Sequence, residues 1–176
     1  MHRVILEGII DAKNVARIKT ALDVIKNLNF FSREKEIVFC INSVGGYVAP
    51  AIDLIDFIKK MELEGFCIHV KITFAKSVAV VVALSVGADT AMKMNTSLHF
   101  HRGSLQLEAS DFDETGQISE SIMDQFREYS SLLNEILAKY KILDNPQKKA
   151  KLYGSGCLEV SDNECLKLGI INERFS

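Results

Sequence analysis

Two adjacent glycines, Gly45 and Gly46, follow the apolar run of residues 37–41 and precede a helix-like segment. Glycine lets the backbone adopt positive φ and approach a ligand closely. Backbone N–H groups in such a loop can point at a developing negative oxygen, with support from the N-terminus of the following helix. A plain strand-to-helix turn also uses glycine. The pair therefore predicts either an oxyanion loop or an ordinary turn.

A serine, Ser77, stands between a strand-like segment, residues 66–74, and the very apolar residues 78–86. A serine at the entrance of a helix is usually an N-cap. The same position suits a nucleophile, because the next backbone N–H, that of Val78, can serve as an oxyanion donor. The sequence leaves both roles open.

The strand-like residues 97–101 carry two histidines. Strand alternation places His99 and His101 on one face. A histidine in a buried strand is usually a hydrogen-bonded core group, but two on one face before a polar, acidic loop at residues 108–116 are typical of a site wall. They are weak metal ligands, because no third His or Cys stands at a useful spacing. We expect no metal and no cofactor.

Strand-like and helix-like segments alternate along the chain. The strand-like segments comprise residues 4–6, 37–41, 66–74, 90–94 and 97–101, and the helix-like segments comprise residues 12–28, 48–61, 78–86 and 118–140. The valines of residues 78–86 favour a strand, but the length, the alanines and the terminating Gly87 favour a buried helix. Pro146 reads as part of a loop. The alternation predicts one α/β domain over residues 1–176, with a mostly parallel sheet and right-handed crossovers.

The composition argues against two kinds of partner. The chain has 176 residues and a formal net charge of −2, without a run of Lys or Arg that would suit nucleic acid or a lipid surface. Its longest apolar stretch, residues 78–86, is about half the length needed to span a bilayer. The N-terminus lacks the pattern of a secretory signal. We expect a cytoplasmic protein that binds neither nucleic acid nor membranes.

These segments, in this order, resemble the proteolytic subunit of Clp protease and the wider ClpP/crotonase superfamily. Residues 41–46, INSVGG, are similar to the family's Ile-Asn-Ser-Pro-Gly-Gly loop, and residues 95–101, NTSLHFH, resemble the strand that ends in the catalytic histidine. Residues 3–8 resemble the first strand, and residues 158–172 resemble the segment that closes the domain. The resemblance covers nearly the whole chain. It implies an α/β fold of stacked ββα and βαβ units with a protruding long "handle" helix.

The resemblance implies a serine-type peptidase that hydrolyses peptides. In that family a serine at a helix entrance attacks the peptide carbonyl, a histidine takes its proton and an aspartate orients the histidine. His101 matches the histidine, and the backbone N–H groups of Gly46 and Val78 match the oxyanion donors. Counting from the preceding strand places Ser77 at the nucleophile position, whereas counting back from Gly87 places Val78 there.

The third member of the triad departs from the family pattern. Counting back from Gly169 puts Cys157 at the aspartate position, and a thiol is a poor anchor for an imidazolium. The nearest carboxylates are those of Glu159 and Asp162. Glu159 shares the face of Cys157 if this segment is extended, so we expect Glu159 to substitute for the aspartate. Val44 also replaces the family's proline, which predicts a less rigid loop.

The long helix-like segment, residues 118–140, resembles the family's handle, which meets a handle from a second ring. Its apolar residues exceed what one face needs: Ile122, Phe126, Tyr129, Leu132, Leu133, Ile136 and Leu137. This surplus predicts a homo-oligomer in the form of a ring, with Leu133 as a side chain to test for contact with the partner. Because the chain begins at the first strand, we expect it to lack the segment that forms axial loops in family members that dock to an unfoldase ring.

Three functions fit these observations. The first is a Clp-like serine peptidase, weak or with an altered triad. The second is a catalytically degenerate subunit that keeps the fold and acts structurally or as a regulator, alone or with another Clp-type subunit. The third is an acyl-CoA enzyme of the crotonase branch, which uses similar backbone donors but usually a longer chain.

Overall fold

The computed structural model describes residues 1–28, 35–103, 112 and 116–176, which form seven strands and six α-helices. The strands are β1 (His2–Ile10), β2 (Glu36–Gly46), β3 (Cys67–Lys76), β4 (Asp89–Lys93), β5 (Ser97–His101), β6 (Cys157–Ser161) and β7 (Glu173–Phe175). The helices are α1 (Ala12–Leu28), α2 (Val48–Leu63), α3 (Val78–Ser85), α4 (Glu120–Lys139), α5 (Pro146–Ser155) and α6 (Asp162–Lys167), with a 3₁₀ helix at Ile142–Asp144. The acidic loop expected at residues 108–116 lies mostly outside the described residues.

The main sheet is parallel and has the order β1-β2-β3-β4-β7. Strand β4 pairs with the first half of β3, whereas β5 pairs with Ala75 and Lys76 at its carboxyl end. Strand β6 then pairs antiparallel with β5. The predicted α/β fold with a mostly parallel sheet is confirmed. This arrangement brings β5 and its histidines to the end of β3, where the chain turns into α3.

Helix α3 is the most deeply buried element around that turn. All seven side chains from Val78 to Leu84 are buried. The predicted choice of a buried helix over a strand is confirmed, because tertiary burial on every side overrides the β-propensity of the valines. Helix α1 is amphipathic instead, with its buried residues Val15, Ile18, Leu22 and Ile25 on one stripe, as its spacing predicts.

The prediction of a loop around Pro146 is wrong, because Pro146 is the first residue of α5. The side chain of Asn145 accepts hydrogen bonds from the backbone N–H groups of Gln147 and Lys148, at 2.9 and 3.3 Å. A proline at the first helical position loses nothing, since its missing N–H would have no partner within the helix. The Asn-Pro pair is therefore the start of a helix.

Helix α4 buries its apolar side chains in the chain's own core. Tyr129, Leu133, Ile136 and Leu137 are buried there, and Ile122 and Phe126 are half-buried. Leu133 is only 5% exposed, so the idea that it faces a partner is wrong. The helix itself is confirmed, and its role as a handle stays a prediction. Within the described ranges, no helix is long and apolar enough to cross a membrane.

The end of β2 packs so tightly on β1 that Gly46 has no room for a side chain. A Cβ at Gly46 would lie 2.3 Å from the carbonyl oxygen of Ile10 and 2.7 Å from its nitrogen. The same Ile10 oxygen accepts a hydrogen bond from the Tyr47 N–H at 2.8 Å. The glycine is therefore a packing requirement of the strand pair as well as part of a candidate oxyanion loop.

We expect Gly46→Ala to lower the free energy of unfolding by about 3 kcal/mol or more, because the added methyl group must displace backbone. Gly154→Ala is the matched control. A Cβ at Gly154 would meet nothing within 4 Å, and this glycine lies inside α5 without a positive φ. The control should be neutral or stabilising by up to about 1 kcal/mol. Chemical denaturation measures both, and equal stability of the two variants would contradict the packing.

Candidate active site

Ser77 occupies a strained turn between β3 and α3. Its φ is 56° and its ψ is −131°, whereas Lys141, another non-glycine with positive φ, has ordinary left-handed values of 52° and 31°. Conformations this far from the allowed regions cost about 1–3 kcal/mol and concentrate at functional sites. A sharp, strained strand-to-helix turn is how a nucleophilic serine is presented in hydrolases that use a nucleophile elbow.

The hydroxyl of Ser77 is not used to cap the helix. Ser77 stands at the N-cap position of α3, yet its side chain makes no capping hydrogen bond. The turn is held by backbone contacts instead: the Ser77 N–H donates to the His99 carbonyl at 2.9 Å, and the Val80 N–H donates to the Ser77 carbonyl at 3.0 Å. The Ser77 hydroxyl therefore does not serve as the N-cap of α3, which favours the nucleophile over the N-cap interpretation.

The glycine loop lies directly beside this turn. Gly45 has a φ of 94°, and a Cβ there would lie 2.7 Å from the Lys76 carbonyl, 2.9 Å from Ser77 Cβ and 3.4 Å from the Val78 nitrogen. The Val78 N–H belongs to the first turn of α3, where backbone donors have no partner within the helix. The loop and the helix entrance therefore enclose Ser77 from two sides, as an oxyanion site requires.

Ser43 fixes the shape of the loop. Its buried hydroxyl donates to the Gly8 carbonyl at 2.6 Å and accepts from the Gly45 N–H at 3.1 Å. Ser43 is a functional residue beyond those predicted from the sequence. Its position two residues before a glycine is nevertheless typical of a side-chain-stabilised turn.

Tyr129 of α4 connects Ser77 with His101. Its hydroxyl donates to the His101 carbonyl at 2.7 Å and also lies within hydrogen-bonding reach of the Ser77 side chain. Burial raises the pKa of Tyr129 to about 12, and the contact with Ser77 offsets part of that rise. The phenol is therefore a neutral donor at physiological pH. The apolar spacing of the long helix predicts Tyr129 only as an apolar residue and gives no sign of these hydroxyl contacts.

The imidazole of His101 lacks an acceptor on one side. Its Nδ1 atom is buried and has no hydrogen-bond partner among the described residues. Across the β5–β6 ladder His101 pairs with Cys157, and directly paired residues of an antiparallel ladder project from the same face. A half-buried thiol thus stands at the cross-strand position from which a carboxylate could orient the ring.

The two carboxylates considered for the third position have other partners. Glu159 pairs across the ladder with His99, and its Oε1 lies 3.3 Å from His99 Nδ1. Asp162 is buried, and its carboxylate contacts Arg174 Nη1 at 3.3 Å. The structure thus brings Ser77, Gly45 and Val78 together, and it places Glu159 beside His99 instead of His101.

A cavity of about 510 Å³ opens next to Tyr129. It lies between α4, the Arg102-Gly103 segment that follows β5, and residues 153–156. The guanidinium of Arg102 sits over the ring of Tyr153 at 4.9 Å from its centre. The cavity falls within the size range of small-molecule ligand sites. Tyr129, which contacts Ser77, is one of its lining residues. In the described part of the chain, no group of three His, Cys, Asp or Glu residues could hold a metal ion.

A strained serine between a parallel strand and a buried helix, with a paired-glycine loop beside it, defines an α/β protein of the ClpP-like fold class. The comparisons agree. The model of the Clp protease family matches residues 1–173, and the chain belongs to that family.

Two solved structures share the fold. The ClpP protease catalytic domain from Plasmodium falciparum is 16% identical, with a TM-score of 0.69 over 99% of this chain and 85% of that one. A ClpP1 mutant from Listeria monocytogenes is 19% identical, with a TM-score of 0.69 over 99% of this chain and 91% of that one. Comparison with curated proteins finds no match.

We expect Ser77→Gly to be more stable than Ser77→Ala by about 1 kcal/mol, because glycine tolerates the strained backbone at a modest entropic cost. Because both variants lack the hydroxyl, the difference between their stabilities measures the backbone strain at position 77. At Ser85, the last residue of α3 and without positive φ, the order should reverse, because glycine is the poorer helix residue. Thermal and chemical unfolding measure the two pairs. An alanine variant at least as stable as the glycine variant at position 77 would refute the strained turn.

Proposed function

We propose that this chain is a Clp-type serine peptidase subunit that hydrolyses peptides slowly. Ser77 is the nucleophile, His101 is the general base, and the backbone N–H groups of Gly46 and Val78 are the oxyanion donors. The observation that carries the proposal is the strained turn at Ser77, which leaves its hydroxyl uncapped beside the glycine loop. Membership of the Clp protease family supports the same chemistry.

In the proposed reaction, Ser77 Oγ attacks the peptide carbonyl carbon and its proton passes to His101 Nε2. The carbonyl oxygen becomes an oxyanion between the Gly46 and Val78 N–H groups, where each donor contributes about 10²–10³-fold to the rate. Collapse of the intermediate breaks the C–N bond, and His101 returns the proton to the leaving amine. Water then hydrolyses the acyl-enzyme by the same steps, with His101 again as the base.

The rate of this reaction is limited by the orientation of His101. No described residue accepts a hydrogen bond from Nδ1 of His101, and a base without such an acceptor is fixed neither in its tautomer nor in its ring angle. Loss of the triad aspartate costs about 10⁴-fold in serine proteases. The expectation that Glu159 takes this role requires its side chain to leave His99, which it contacts at 3.3 Å. The proposal therefore assigns slow turnover to the native chain, with Cys157 as the limiting residue.

We expect a fluorophosphonate probe to label the native protein, and Ser77→Ala to abolish the labelling at position 77. Cys157→Asp should raise kcat on a peptide ester at least tenfold, because it places a carboxylate opposite Nδ1 of His101, which has no partner in the described part of the chain. Cys157→Asn, with the same shape and no charge, is the matched control and should give no such gain. Equal activity of the Asp and Asn variants would contradict the proposed orientation defect.

A second candidate is the degenerate subunit with a structural or regulatory role. The Nδ1 of His101, which has no partner among the described residues and lies opposite Cys157, favours it, because a thiol cannot orient the imidazole as a carboxylate does. This candidate predicts no acylation of Ser77 in the native protein and none in Cys157→Asp. The same two measurements therefore separate the candidates.

The proposal includes assembly into a homo-oligomeric ring in the cytoplasm, without nucleic acid or membrane as a partner. Family membership supports assembly. Two half-buried apolar side chains of α4, Ile122 and Phe126, are the remaining candidates for contact, since the more C-terminal apolar residues of the helix pack in the chain's own core.

We expect Ile122→Glu to raise the dissociation constant of the assembly at least tenfold, because a charge would be buried at the contact. Ser121→Glu, at the exposed neighbouring position, is the control and should leave assembly unchanged. Leu133→Glu should instead unfold the chain, since Leu133 is a core residue. Sedimentation velocity measures all three. A native protein that is monomeric at micromolar concentration would contradict the ring.

A further inference from the structure

A second serine, histidine and carboxylate contact one another on β5 and β6, next to the position of His101. Ser97 Oγ lies 3.0 Å from His99 Nε2. The other ring nitrogen, His99 Nδ1, lies 3.3 Å from Glu159 Oε1. Serine on one imidazole nitrogen and carboxylate on the other is the order in which the members of a catalytic triad contact each other.

The register of the ladder produces this arrangement. Ser97 and His99 are two apart on one strand and therefore project from the same face. Glu159 is the direct cross-strand partner of His99, as Cys157 is of His101. The carboxylate of Glu159 therefore lies opposite His99, two residues before His101 on the same strand. Among the described residues, the Ser-His-carboxylate set is complete at His99 and incomplete at His101.

The imidazole of His99 is held on three sides. Beyond its contacts with the serine and the carboxylate, its ring packs against Phe74 with centroids 5.7 Å apart. Its backbone carbonyl accepts the Ser77 N–H. The side chain of His99 is 21% exposed and that of Glu159 is 56% exposed, and Ser97 is half-buried, so all three residues have surface in contact with solvent.

We propose that Ser97 is a second acyl-accepting nucleophile, activated by His99 and Glu159, that reacts with small activated esters. This activity goes beyond the proposed peptidase and does not use Ser77. Ser97 Oγ forms the new bond to the ester carbonyl carbon while its proton passes to His99 Nε2. The C–O bond to the alcohol breaks, and the leaving oxygen takes the proton from His99. Water then hydrolyses the acyl-serine with the same proton transfers in reverse.

The substrate class follows from the oxyanion donors. The glycine loop packs beside Ser77, and we assign no comparable pair of backbone donors to Ser97. Each such donor is worth about 10²–10³-fold, so a serine without them cleaves only bonds with good leaving groups. Aryl esters and fluorophosphonates meet this condition, whereas peptides do not.

The two serines can be distinguished chemically because trypsin separates them. Cleavage after Lys76, Lys93 and Arg102 places Ser77 on the peptide of residues 77–93 and Ser97 on the peptide of residues 94–102. An adduct on the first peptide tests the proposed peptidase, and an adduct on the second tests this inference. Failure of the proposed peptidase and failure of the inference about Ser97 can therefore be detected independently.

The experiment uses the full chain carrying Ser77→Ala, treated with an alkyl fluorophosphonate and mapped by tandem mass spectrometry. We expect an adduct on Ser97, in which the Oγ–P bond replaces the P–F bond and fluoride leaves. Glu159→Gln keeps the shape of an exposed side chain and should slow labelling at least tenfold. His99→Gln should slow it further. Glu128→Gln, on the exposed face of α4, is the control and should label at the parent rate.

Two results would overturn the inference. The first is the absence of any adduct on Ser97 in a Ser77→Ala protein whose thermal transition is intact. The second is an adduct that forms at the same rate in Glu159→Gln and His99→Gln, because that would be unassisted phosphonylation of an exposed hydroxyl. Hydrolysis of an aryl acetate by the Ser77→Ala protein, lost in Ser77→Ala/Ser97→Ala, would extend the inference to turnover.

Discussion

The backbone hydrogen bond from the Ser77 N–H to the His99 carbonyl is the contact on which the site depends. A serine at φ 56° and ψ −131° costs about 1–3 kcal/mol, so surrounding structure must hold it there. Strand β5 does so by pairing with the carboxyl end of β3, beyond the reach of β4. Behind the turn, the buried helix α3 anchors the other side. The same strand that holds the serine therefore also carries both histidines.

Because β5 fixes the serine, the register of β6 decides which histidine receives a carboxylate. The ladder places Glu159 opposite His99 and Cys157 opposite His101. A change of register by one residue would turn Glu159 to the other face, where no histidine lies. Which histidine contacts the carboxylate of Glu159 therefore depends on the register of the whole β5–β6 pair. As a result, the carboxylate of Glu159 contacts His99 at 3.3 Å, and a thiol stands opposite His101.

Much of the fold was predictable because its signals are local. The apolar stripe of α1 and the alternation of side chains in β5 predict the first and last residues that these two elements have in the structure. The glycine after residues 78–86 favours a helix there, and α3 is that helix. Helix α5 differs from the prediction because a proline after Asn145 is compatible with a loop and with the first position of a helix, and the structure uses it as the latter. The partners of Tyr129 and Glu159 could not be predicted. They depend on how α4 and β6 dock against β5, and no spacing within either segment encodes that docking.

The most direct test of the account is a crystal structure of the protein after reaction with a phosphonate inhibitor. The account predicts a bond from Ser77 Oγ to phosphorus, with the phosphoryl oxygen about 2.7–3.1 Å from the backbone nitrogens of Gly46 and Val78. It also predicts that Nδ1 of His101 has no carboxylate within hydrogen-bonding distance. An adduct whose phosphoryl oxygen points away from the glycine loop would contradict the oxyanion site. A carboxylate on His101 would contradict the cause assigned to slow turnover.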